Sequence, residues 1–533
     1  MFRRLEQTSL ALLTRADALC TRLYGWRFNP LYQSGTIVVA LYLTLVATGT
    51  WLLLFYRVGA PWESVDRITA DPWLGNWVRG LHRYATDAAV VFTAIHAMRM
   101  FAQGRSWGAR SLAWISGVLL VVLMLLAAWS GYVMVWDVLG ERLAREGARM
   151  ADALPILSEP VSRAFNGERP VPSVFFFITL FAHIGIPLGM GAMFWIHVKR
   201  LQRPAMLPPR PLLWGVVGLL TAVALVRPVI MAPKANPFAQ TAHIPFDLFV
   251  AFWVPLTDAW SGGAVLLMLI GTFAVLLIWP VLAKRRGAEA AALPPSFVDE
   301  DLCTGCTQCT IDCPYGAIEM VPRKDDRPTL VALVDPSLCV SCGICAGSCP
   351  PMGVGPAGRT GRDQLVGVQA FLKQTPRPAT GVVVIGCDHG AGRFAHAIEA
   401  SGAAFQGVSC AGNLHTSAIE RLLRGGADGV LIMACHPRDC WNREGPRWLS
   451  ERIYHDREAE LQPRVPRTRV RVTHVSATEQ PDALATLERF AADVSHLPDD
   501  RTVYARGNWS QDDTGLAEEA VECVPPEPEE VRK

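Results

Sequence analysis

Long uncharged apolar segments constrain this 533-residue chain more than any other feature. The segment from Gly35 to Tyr56 carries no charged residue and is long enough to cross about 30 Å of hydrocarbon. Comparable segments occupy about 112–136, 173–198, 211–226 and 261–283. A sixth, roughly 77–101, contains His82, Arg83, Asp87 and His96 but keeps the required length. Because lipid offers no hydrogen-bonding partner, each segment must satisfy its own backbone, so these segments predict a bundle of about six transmembrane helices.

The composition agrees with a membrane protein. Hydrophobic residues make up 51% of the chain and charged residues only 18%, whereas soluble globular chains carry about 25% charged residues. The formal net charge is +2, so no global basic field argues for a nucleic-acid partner. The length favours several domains over one core.

Basic residues fall in alternate loops and predict the orientation. The N-terminal segment, the loops near 99–110 and 199–210, and Lys284-Arg285-Arg286 share one side of a six-span bundle. The positive-inside rule places that side in the cytoplasm. We therefore predict a multi-pass protein of a bacterial or archaeal cytoplasmic membrane, with both termini and the iron–sulfur domains described below in the cytoplasm. Residues 1–30 are Arg-rich and amphipathic, which favours a helix on the membrane surface over a signal peptide.

Two of the predicted spans carry histidine pairs with the same spacing. His82 and His96 are fourteen residues apart, and so are His183 and His197. Fourteen residues is close to four helical turns, so each pair lies on one face, about 21 Å apart along the axis. Both helices run from the outer to the inner side, which pairs His82 with His183 and His96 with His197. Two imidazoles on opposite sides of an iron make a six-coordinate heme, and satisfied core histidines are the alternative.

Four glycines repeat this interval on two further spans. Gly35 and Gly49 share one segment, and Gly117 and Gly131 share another. A porphyrin between helices needs backbone without a Cβ where each ring edge passes, although such glycines can also be packing residues. The interval shared by four histidines and four glycines favours two stacked hemes.

The sequences G-N-W-V-R-G-L-H-R (75–83) and G-Y-V-M-V-W-D (131–137), together with the H-x13-H spacing, resemble cytochrome b, most closely its chloroplast-type form. The resemblance covers roughly residues 1–260. It implies two hemes b, a quinone as the substrate and a homodimer within membrane lipid. By position it also places Arg79 and Arg99 near the heme propionates.

One segment departs from the cytochrome b pattern. Residues 234–241 and the following Pro245-Phe246-Asp247-Leu248 stand where the family has its P-E-W-Y motif, with Phe246 at the glutamate position. In the family that glutamate is the expected proton acceptor at the outer quinol site. The departure therefore argues against outer-side quinol oxidation by the usual route. Asp137 and Asp247 are the candidate quinone or proton residues, and solvated interface acids are the alternative.

Eight of the fourteen cysteines follow the pattern C-x2-C-x2-C-x3-C-P, which occurs twice. This pattern resembles a bacterial two-cluster ferredoxin, in which the fourth cysteine of each run binds the other cluster. Zinc sites use two separated C-x2-C pairs instead, so zinc is the weaker alternative. The predicted 4Fe–4S ligands are Cys303, Cys306, Cys309 and Cys349 for one cluster, and Cys313, Cys339, Cys342 and Cys345 for the other.

A last group of cysteines lies in a stretch patterned as an α/β domain, with apolar runs at 381–386 and 428–434. The motif G-A-D-G-V-L-x-x-x-C-H-x-x-D-C (426–440) resembles the delta subunit of methyl-viologen-reducing hydrogenase. The resemblance implies a 2Fe–2S centre and electron exchange with a cytoplasmic flavoprotein similar to the heterodisulfide reductase flavin subunit, or with another soluble dehydrogenase. His389 and His436 are outside candidates as ligands, and a docking module without a cluster is the alternative. The candidate ligands are Cys387, Cys410, Cys435 and Cys440.

The fold class predicted for the whole chain is multi-domain: an all-α transmembrane heme-binding bundle, then an α+β ferredoxin domain, then an α/β iron–sulfur domain. The predicted parts are a surface helix (1–30), a di-heme four-helix bundle (31–205), two further transmembrane helices (206–286), a linker (287–297), the ferredoxin domain (298–358), the hydrogenase-delta-like domain (376–500) and a Pro/Glu-rich tail (501–533).

These parts predict a subunit of a quinone-linked oxidoreductase in a respiratory chain. It would transfer electrons between a quinone pool and a soluble partner, through two hemes b, two 4Fe–4S clusters and one 2Fe–2S cluster. The catalytic centre for the soluble substrate would lie on the partner. A Q-cycle-type cytochrome b that oxidises quinol, and a non-catalytic sensor of the quinone state, are the alternatives.

Overall fold

The computed structural model divides the chain into two compact units, Met1–Gly287 and Ala288–Lys533. The division falls at the predicted linker, of which residues 287–293 lie outside the described part. Phe246 and the predicted tail, 501–533, also lie outside it. The residues that the structure describes are 2–107, 110–155, 159–165, 171–200, 206–236, 247–286, 294–325, 327–437, 440–455 and 457–498.

Helices make up most of the first unit. By length and apolar composition, four of them could cross a membrane: α2 (Ser34–Leu53), α5 (Ser111–Val135), α7 (Ser173–Trp195) and α10 (Gly262–Arg286). Helix α8 is apolar but has only 17 residues, and the 28-residue α4 carries Arg83, Asp87 and Arg99. Four of the six predicted spans are thus supported, and the spans in α4 and α8 stay predictions. The helices are α1 (Phe2–Tyr24), α2 (Ser34–Leu53), α3 (Pro61–Ala70), α4 (Gly75–Ala102), α5 (Ser111–Val135), α6 (Val138–Ala151), α7 (Ser173–Trp195), α8 (Arg210–Val226), α9 (Leu256–Ala259) and α10 (Gly262–Arg286).

Helix α2 packs along α4, and α5 packs along α7. In the first pair, Ile37 and Leu41 are fully buried and lie one helical turn apart, against Ala85 and Ala89 of α4. The small alanines let the two backbones approach closely, as at other helix contacts in membranes. The outward faces remain apolar, which suits a lipid environment.

The second unit begins with two antiparallel strand pairs and two short helices. Strand β1 pairs with β4, and β2 pairs with β3 from Ile318 opposite Val334 to Pro322 opposite Leu330. Six of the eight cysteines of the ferredoxin pattern lie in the loops between these elements, and Cys309 and Cys345 lie in the two short helices. The elements are β1 (Phe297–Val298), α11 (Gln308–Asp312), β2 (Ile318–Pro322), β3 (Leu330–Val334), α12 (Ile344–Gly347) and β4 (Val354–Gly355).

A four-stranded parallel sheet follows, with strand order β6-β5-β7-β8. Side chains alternate between its faces, so Val383 and Ile385 enter one core while Val382 and Val384 enter the other. The sheet is therefore covered by helices on both faces. Its elements are α13 (Gly361–Gln374), β5 (Val382–Cys387), α14 (Ala395–Ala400), β6 (Ala404–Val408), α15 (Thr416–Arg424), β7 (Gly429–Ala434), α16 (Gly445–Tyr454), β8 (Val470–His474) and α17 (Gln480–Ser495).

Candidate metal centres

His82 of α4 and His183 of α7 face each other inside the helical unit. Their ring centroids lie 6.4 Å apart, with ring planes tilted by 59°. Two imidazole nitrogens that bind one metal from opposite sides, each at about 2 Å, place the ring centroids roughly 6 Å apart. The observed separation therefore fits one shared metal between the two rings. This is one of the two pairings that the sequence predicts.

His96 and His197 form the second pair and interact electrostatically. His96 belongs to α4, whereas His197 lies in a π-helical turn, Ile196–Arg200, that continues α7. A π-helical turn inserts an extra residue into the helix and is common at functional sites. The turn therefore gives His197 a direction that α-helical spacing alone does not predict.

Hydroxyl groups hold the Nδ1 atoms of three of these imidazoles. Each hydroxyl also donates its hydrogen to a backbone carbonyl of its own helix, so it accepts a hydrogen bond from the Nδ1–H group. The proton on Nδ1 leaves the lone pair on Nε2, which is the arrangement that a metal-binding histidine needs. The contacts are Thr48 Oγ1 to His82 Nδ1 at 2.9 Å, Ser116 Oγ to His197 Nδ1 at 2.8 Å, and Ser130 Oγ to His183 Nδ1 at 3.1 Å.

These hydroxyls were not predicted from the sequence, although a signal for them is present. Each of the four predicted glycines directly follows a serine or threonine, as Ser34-Gly35, Thr48-Gly49, Ser116-Gly117 and Ser130-Gly131. A repeated Ser/Thr-Gly dipeptide at the fourteen-residue interval would have revealed them. The Ser34 hydroxyl donates to the carbonyl of Leu31 at 2.9 Å.

Each predicted glycine lies against one predicted histidine. The missing Cβ leaves room for the Cε1 edge of the imidazole, which would otherwise collide with the helix backbone. The sequence predicts room for a porphyrin edge, and the structure shows that the glycines make room for the imidazole ring itself. A Cβ built on each glycine would approach Cε1 of its histidine to 2.8 Å for Gly35 and His96, 3.1 Å for Gly49 and His82, 3.6 Å for Gly117 and His197, and 2.8 Å for Gly131 and His183.

The two predicted propionate arginines have protein partners in the structure. Arg99 is 2% exposed and lies 2.8 Å from the carboxylate of Asp17, which fastens α1 to α4. Its guanidinium also lies 4.0 Å from the ring centroid of Tyr32. Arg79 donates to the carbonyl of Val229 at 2.9 Å. Their predicted contact with propionates stays a prediction.

The two candidate acids occupy different environments. The carboxylate of Asp247 is bound by Arg83 and by the hydroxyl of Tyr132, next to His82 and Gly131 respectively. Burial favours a raised pKa for Asp247, but these hydrogen bonds and the Arg83 charge bring its pKa below the ordinary value. Asp247 therefore stays ionised and is a poor acceptor for a quinol proton.

Asp137 caps the N-terminus of α6. Its carboxylate accepts hydrogen bonds from the backbone amides of Leu139 at 3.1 Å and Gly140 at 2.9 Å. Burial raises the pKa of Asp137 above its ordinary value. Capping explains this acid structurally, and its proton role stays a prediction.

The eight ferredoxin-pattern cysteines line two open cavities. One has a volume of about 340 Å³ and the other of about 310 Å³. The fourth cysteine of each run lines the cavity of the other run, which matches the predicted ligand sets. We call them the first thiol set (Cys303, Cys306, Cys309 and Cys349) and the second thiol set (Cys313, Cys339, Cys342 and Cys345).

The chemistry of these cavities suits a polynuclear cluster. Burial raises the pKa of Cys309 and of Cys345 to about 12, so their thiolates need a nearby positive charge such as iron. Backbone amides already donate to the sulfurs of Cys313 and Cys349, each at 3.3 Å. Within the residues that the structure describes, no three or more His, Cys, Asp or Glu side chains close around a single-ion site. The thiols of each set surround a cavity.

The four cysteines of the predicted 2Fe–2S site meet at one edge of the parallel sheet. Cys387 ends β5 and Cys435 directly follows β7, and their sulfurs lie 3.5 Å apart. The Cys440 thiol donates to Cys410, and this hydrogen bond lowers the pKa of Cys410. Strands β6 and β7 flank β5, so this edge is a topological switch point, where such sheets bind ligands. We call Cys387, Cys410, Cys435 and Cys440 the third thiol set.

The two outside histidine candidates have protein partners of their own. His436 Nε2 lies 2.6 Å from the carboxylate of the buried Glu479. His389 stacks on Trp441 with ring centroids 4.3 Å apart. The third thiol set is therefore the better donor set for a centre at this edge.

Three family models match separate parts of the chain. The cytochrome b/b6 model matches residues 22–204, a 4Fe–4S dicluster model matches 302–352, and the model of the methyl-viologen-reducing hydrogenase delta subunit matches 400–498. The three matches fall on the helical bundle, on the loops of the first and second thiol sets, and on most of the parallel sheet.

Individual relatives agree with the first match. The chain is 25% identical over 176 residues to the menaquinol:cytochrome c reductase cytochrome b subunit of Geobacillus thermodenitrificans, covering 32% of this chain and 79% of that protein. It is 29% identical over 154 residues to cytochrome b6 of Porphyra purpurea, covering 28% of this chain and 72% of the relative. A solved structure of hyperthermophilic respiratory complex III is 17% identical, with a TM-score of 0.38 over 47% of this chain and 75% of that one, and at this score it adds nothing.

The resemblances stated from the sequence are thereby confirmed. Heme b is the cofactor type of the first family, and 4Fe–4S is that of the second. The chain is a membrane electron-transfer protein in which a cytochrome b/b6 domain is followed by a 4Fe–4S dicluster domain and by a domain of the methyl-viologen-reducing hydrogenase delta family.

Proposed function

We propose that this protein transfers electrons between a membrane quinone and a soluble redox partner, as one subunit of a larger oxidoreductase. The observation that carries the proposal is the occurrence, in one chain, of opposed histidine pairs in an apolar bundle and thiol-lined cavities in a second unit. A bis-histidine heme and a thiolate-bound cluster are both one-electron carriers. A chain that holds both kinds of carrier is suited to electron exchange between a lipid-soluble and a water-soluble reactant.

The proposed cofactors are two hemes b, two 4Fe–4S clusters and one 2Fe–2S cluster, which supply reversible one-electron transfer when bound. The opposed rings of His82 and His183 would hold one heme, and His96 with His197 the other. The first, second and third thiol sets would hold the clusters. The Nδ1 hydrogen bonds of His82, His183 and His197 support the histidine assignment, because they would leave the Nε2 lone pair of each of these three rings available to bind iron.

The chemistry at the quinone is a two-electron reaction. Reduction of one quinone consumes two electrons from the soluble donor and two protons from water, and oxidation of one quinol releases them. Ferredoxin-type clusters have low reduction potentials, so electron flow toward the quinone is the downhill direction. The binding of Asp247 by Arg83 and Tyr132 also argues against quinol oxidation at the outer side.

We place the quinone site at the inner side, near His197 and the basic loop that follows it. The basic loops support a cytoplasmic location for that side, for both termini and for the iron–sulfur unit. The hydrogenase-delta match at 400–498 supports a cytoplasmic flavoprotein as the partner. The cytochrome b match supports assembly as a homodimer.

Anaerobic titration of the purified full chain with menaquinol and with ubiquinol tests the proposal. Visible absorbance of the heme is recorded after each addition. We expect a reversible change in the heme bands with at least one quinol, and a reduced change in a His96→Leu variant, which loses one predicted ligand. Heme bands that do not respond to either quinol would contradict the proposal.

A further inference from the structure

The second thiol set lies directly against the third. Cys342 of the second set packs against a buried cluster formed by Ile344, Cys410 and Trp448, in which Cys410 is 2% exposed. Cys410 belongs to the third set and interacts electrostatically with Cys342. The two sets thus meet through ligand side chains, without a solvent layer between them.

Glycines allow this close contact. A Cβ on Gly412 would lie 2.5 Å from Cα of Gly445 and 3.0 Å from the Ile344 side chain. A Cβ on Gly445 would lie 2.7 Å from the sulfur of Cys410. The distances of 2.5 Å and 2.7 Å are shorter than real Cβ atoms approach other atoms. The segments that contain Ile344, Gly412 and Gly445 can therefore pack this closely because Gly412 and Gly445 have no side chain.

The first thiol set has a different contact with the sheet. It contacts this domain through the Cys306 thiol, which donates to the carboxylate of Glu458, and through a hydrogen bond from His415 Nε2 to the carbonyl of Cys349 at 3.2 Å. Both partners lie outside the third thiol set. The second cavity is also approached by Arg443, which stacks 4.1 Å from the ring centroid of Tyr315, a residue of the cavity wall. The contact from ligand to ligand is therefore the one between Cys342 of the second set and Cys410 of the third.

One buried arginine fastens this contact. Arg452 of α16 is fully buried and donates to the Ser348 hydroxyl at 2.8 Å and to the Gly412 carbonyl at 2.7 Å. It also lies 3.8 Å from the carboxylate of Asp312. Ser348 precedes Cys349, Asp312 precedes Cys313, and Gly412 follows Cys410 by two residues. A single guanidinium thus binds residues next to ligands of all three thiol sets.

We propose that electrons pass between the third thiol set and the ferredoxin part through the contact between Cys342 and Cys410, and that Arg452 is the positioning residue of this contact. The inference rests on the proposed function, because it requires metal centres on the second and third sets. One electron moves per event, so the centre on one set is oxidised as the centre on the other is reduced, and no bond or proton is exchanged. The first thiol set is the distal one.

Electron paramagnetic resonance of the dithionite-reduced full chain tests the order of the sets. A neighbouring paramagnetic centre accelerates spin relaxation steeply with proximity, so microwave power saturation of the third-set signal reports its nearest neighbour. We expect this acceleration to be lost in Cys342→Ala and retained in Cys306→Ala, the matched variant in the first set. Loss in Cys306→Ala with retention in Cys342→Ala would overturn the inference and leave the proposed function intact.

A variant that keeps every thiol tests the role of Arg452. Arg452→Lys retains the charge but not the forked hydrogen bonds. We expect unchanged iron and sulfide content and a several-fold weaker acceleration of third-set relaxation. Arg489→Lys, on an exposed arginine of α17, is the control and should behave like the natural protein. Unaltered relaxation in Arg452→Lys would contradict the positioning role, and a chain without any third-set signal would overturn both this inference and the third centre.

Discussion

Alanine substitution of the four helix glycines gives a graded test of how the histidines are seated. In α5, a Cβ at position 131 would lie 2.8 Å from Cε1 of His183, closer than real Cβ atoms approach other atoms. The same substitution at Gly117 would place the Cβ 3.6 Å from His197, which is ordinary van der Waals contact. Both sites are on one helix, so Gly131→Ala and Gly117→Ala form a matched pair.

The size of the effect follows from the overlap. Overpacking of a tight site costs about 1–3 kcal/mol, whereas alanine at a helix-interior glycine gains about 1 kcal/mol of helix propensity in both variants. Because the imidazole is the group displaced, we expect the overpacking cost to appear as weaker heme binding. At about 1.4 kcal/mol per tenfold, heme affinity should fall about 5- to 150-fold in Gly131→Ala and in Gly35→Ala. Gly117→Ala should differ little from the natural protein.

The assay is heme per polypeptide in the purified protein, determined from the pyridine hemochrome spectrum, followed by heme loss on dilution into an acceptor protein. Gly185→Ala on α7 is the control, since a Cβ there would meet nothing within 4 Å. Gly49→Ala, at 3.1 Å from His82, should be intermediate. Equal heme loss in Gly117→Ala and Gly131→Ala, or full heme content in every variant, would refute the reasoning.

Three further predictions concern other residues. Ser116→Ala removes the hydroxyl that binds His197 Nδ1 at 2.8 Å, so we expect a shifted midpoint potential of one heme in a redox titration, and an identical potential would speak against the assignment. Cys313→Ser should abolish the paramagnetic resonance signal of the second thiol set and leave that of the first, although Cys313 belongs to the first cysteine run in the sequence. Loss of the first-set signal with retention of the second would disprove the exchange of the fourth cysteine between the two runs. Arg452→Met removes the buried guanidinium that donates to the Ser348 hydroxyl and the Gly412 carbonyl, so guanidinium denaturation should show about 1–3 kcal/mol of destabilisation, against less than about 0.5 kcal/mol for the exposed Arg489→Met; similar values for both would contradict the buried hydrogen bonds.

The features that the sequence predicts well are those with a local cause. Helical periodicity places His82 and His96 on one face, and the structure then opposes His82 to His183. The cysteine runs are equally local, because tight loops direct neighbouring thiols into one cavity. Parallel strands bring Cys387 and Cys435 to one edge for a similar reason.

Contacts between distant parts of the chain could not be predicted in this way. Arg99 pairs with Asp17, 82 residues earlier, and Asp247 meets Arg83 from 164 residues away. Such pairs depend on how whole helices and loops pack, which periodicity does not specify. The same holds for Cys342 and Cys410, which belong to different domain patterns. The serine and threonine hydroxyls behind the imidazoles are an intermediate case, since their repeat is local but their function depends on the opposite helix.

Anaerobic turnover tests the central claim most directly. The purified full chain in lipid is given a reduced viologen as the soluble donor and menaquinone as the acceptor, while the heme spectrum and quinol formation are followed together. The account predicts that the heme bands become reduced on addition of the donor, are reoxidised when menaquinone is added, and that quinol accumulates at two electrons per molecule. Hemes that stay oxidised while the iron–sulfur signals are fully reduced, or quinol formation that persists unchanged in a chain lacking heme, would contradict it.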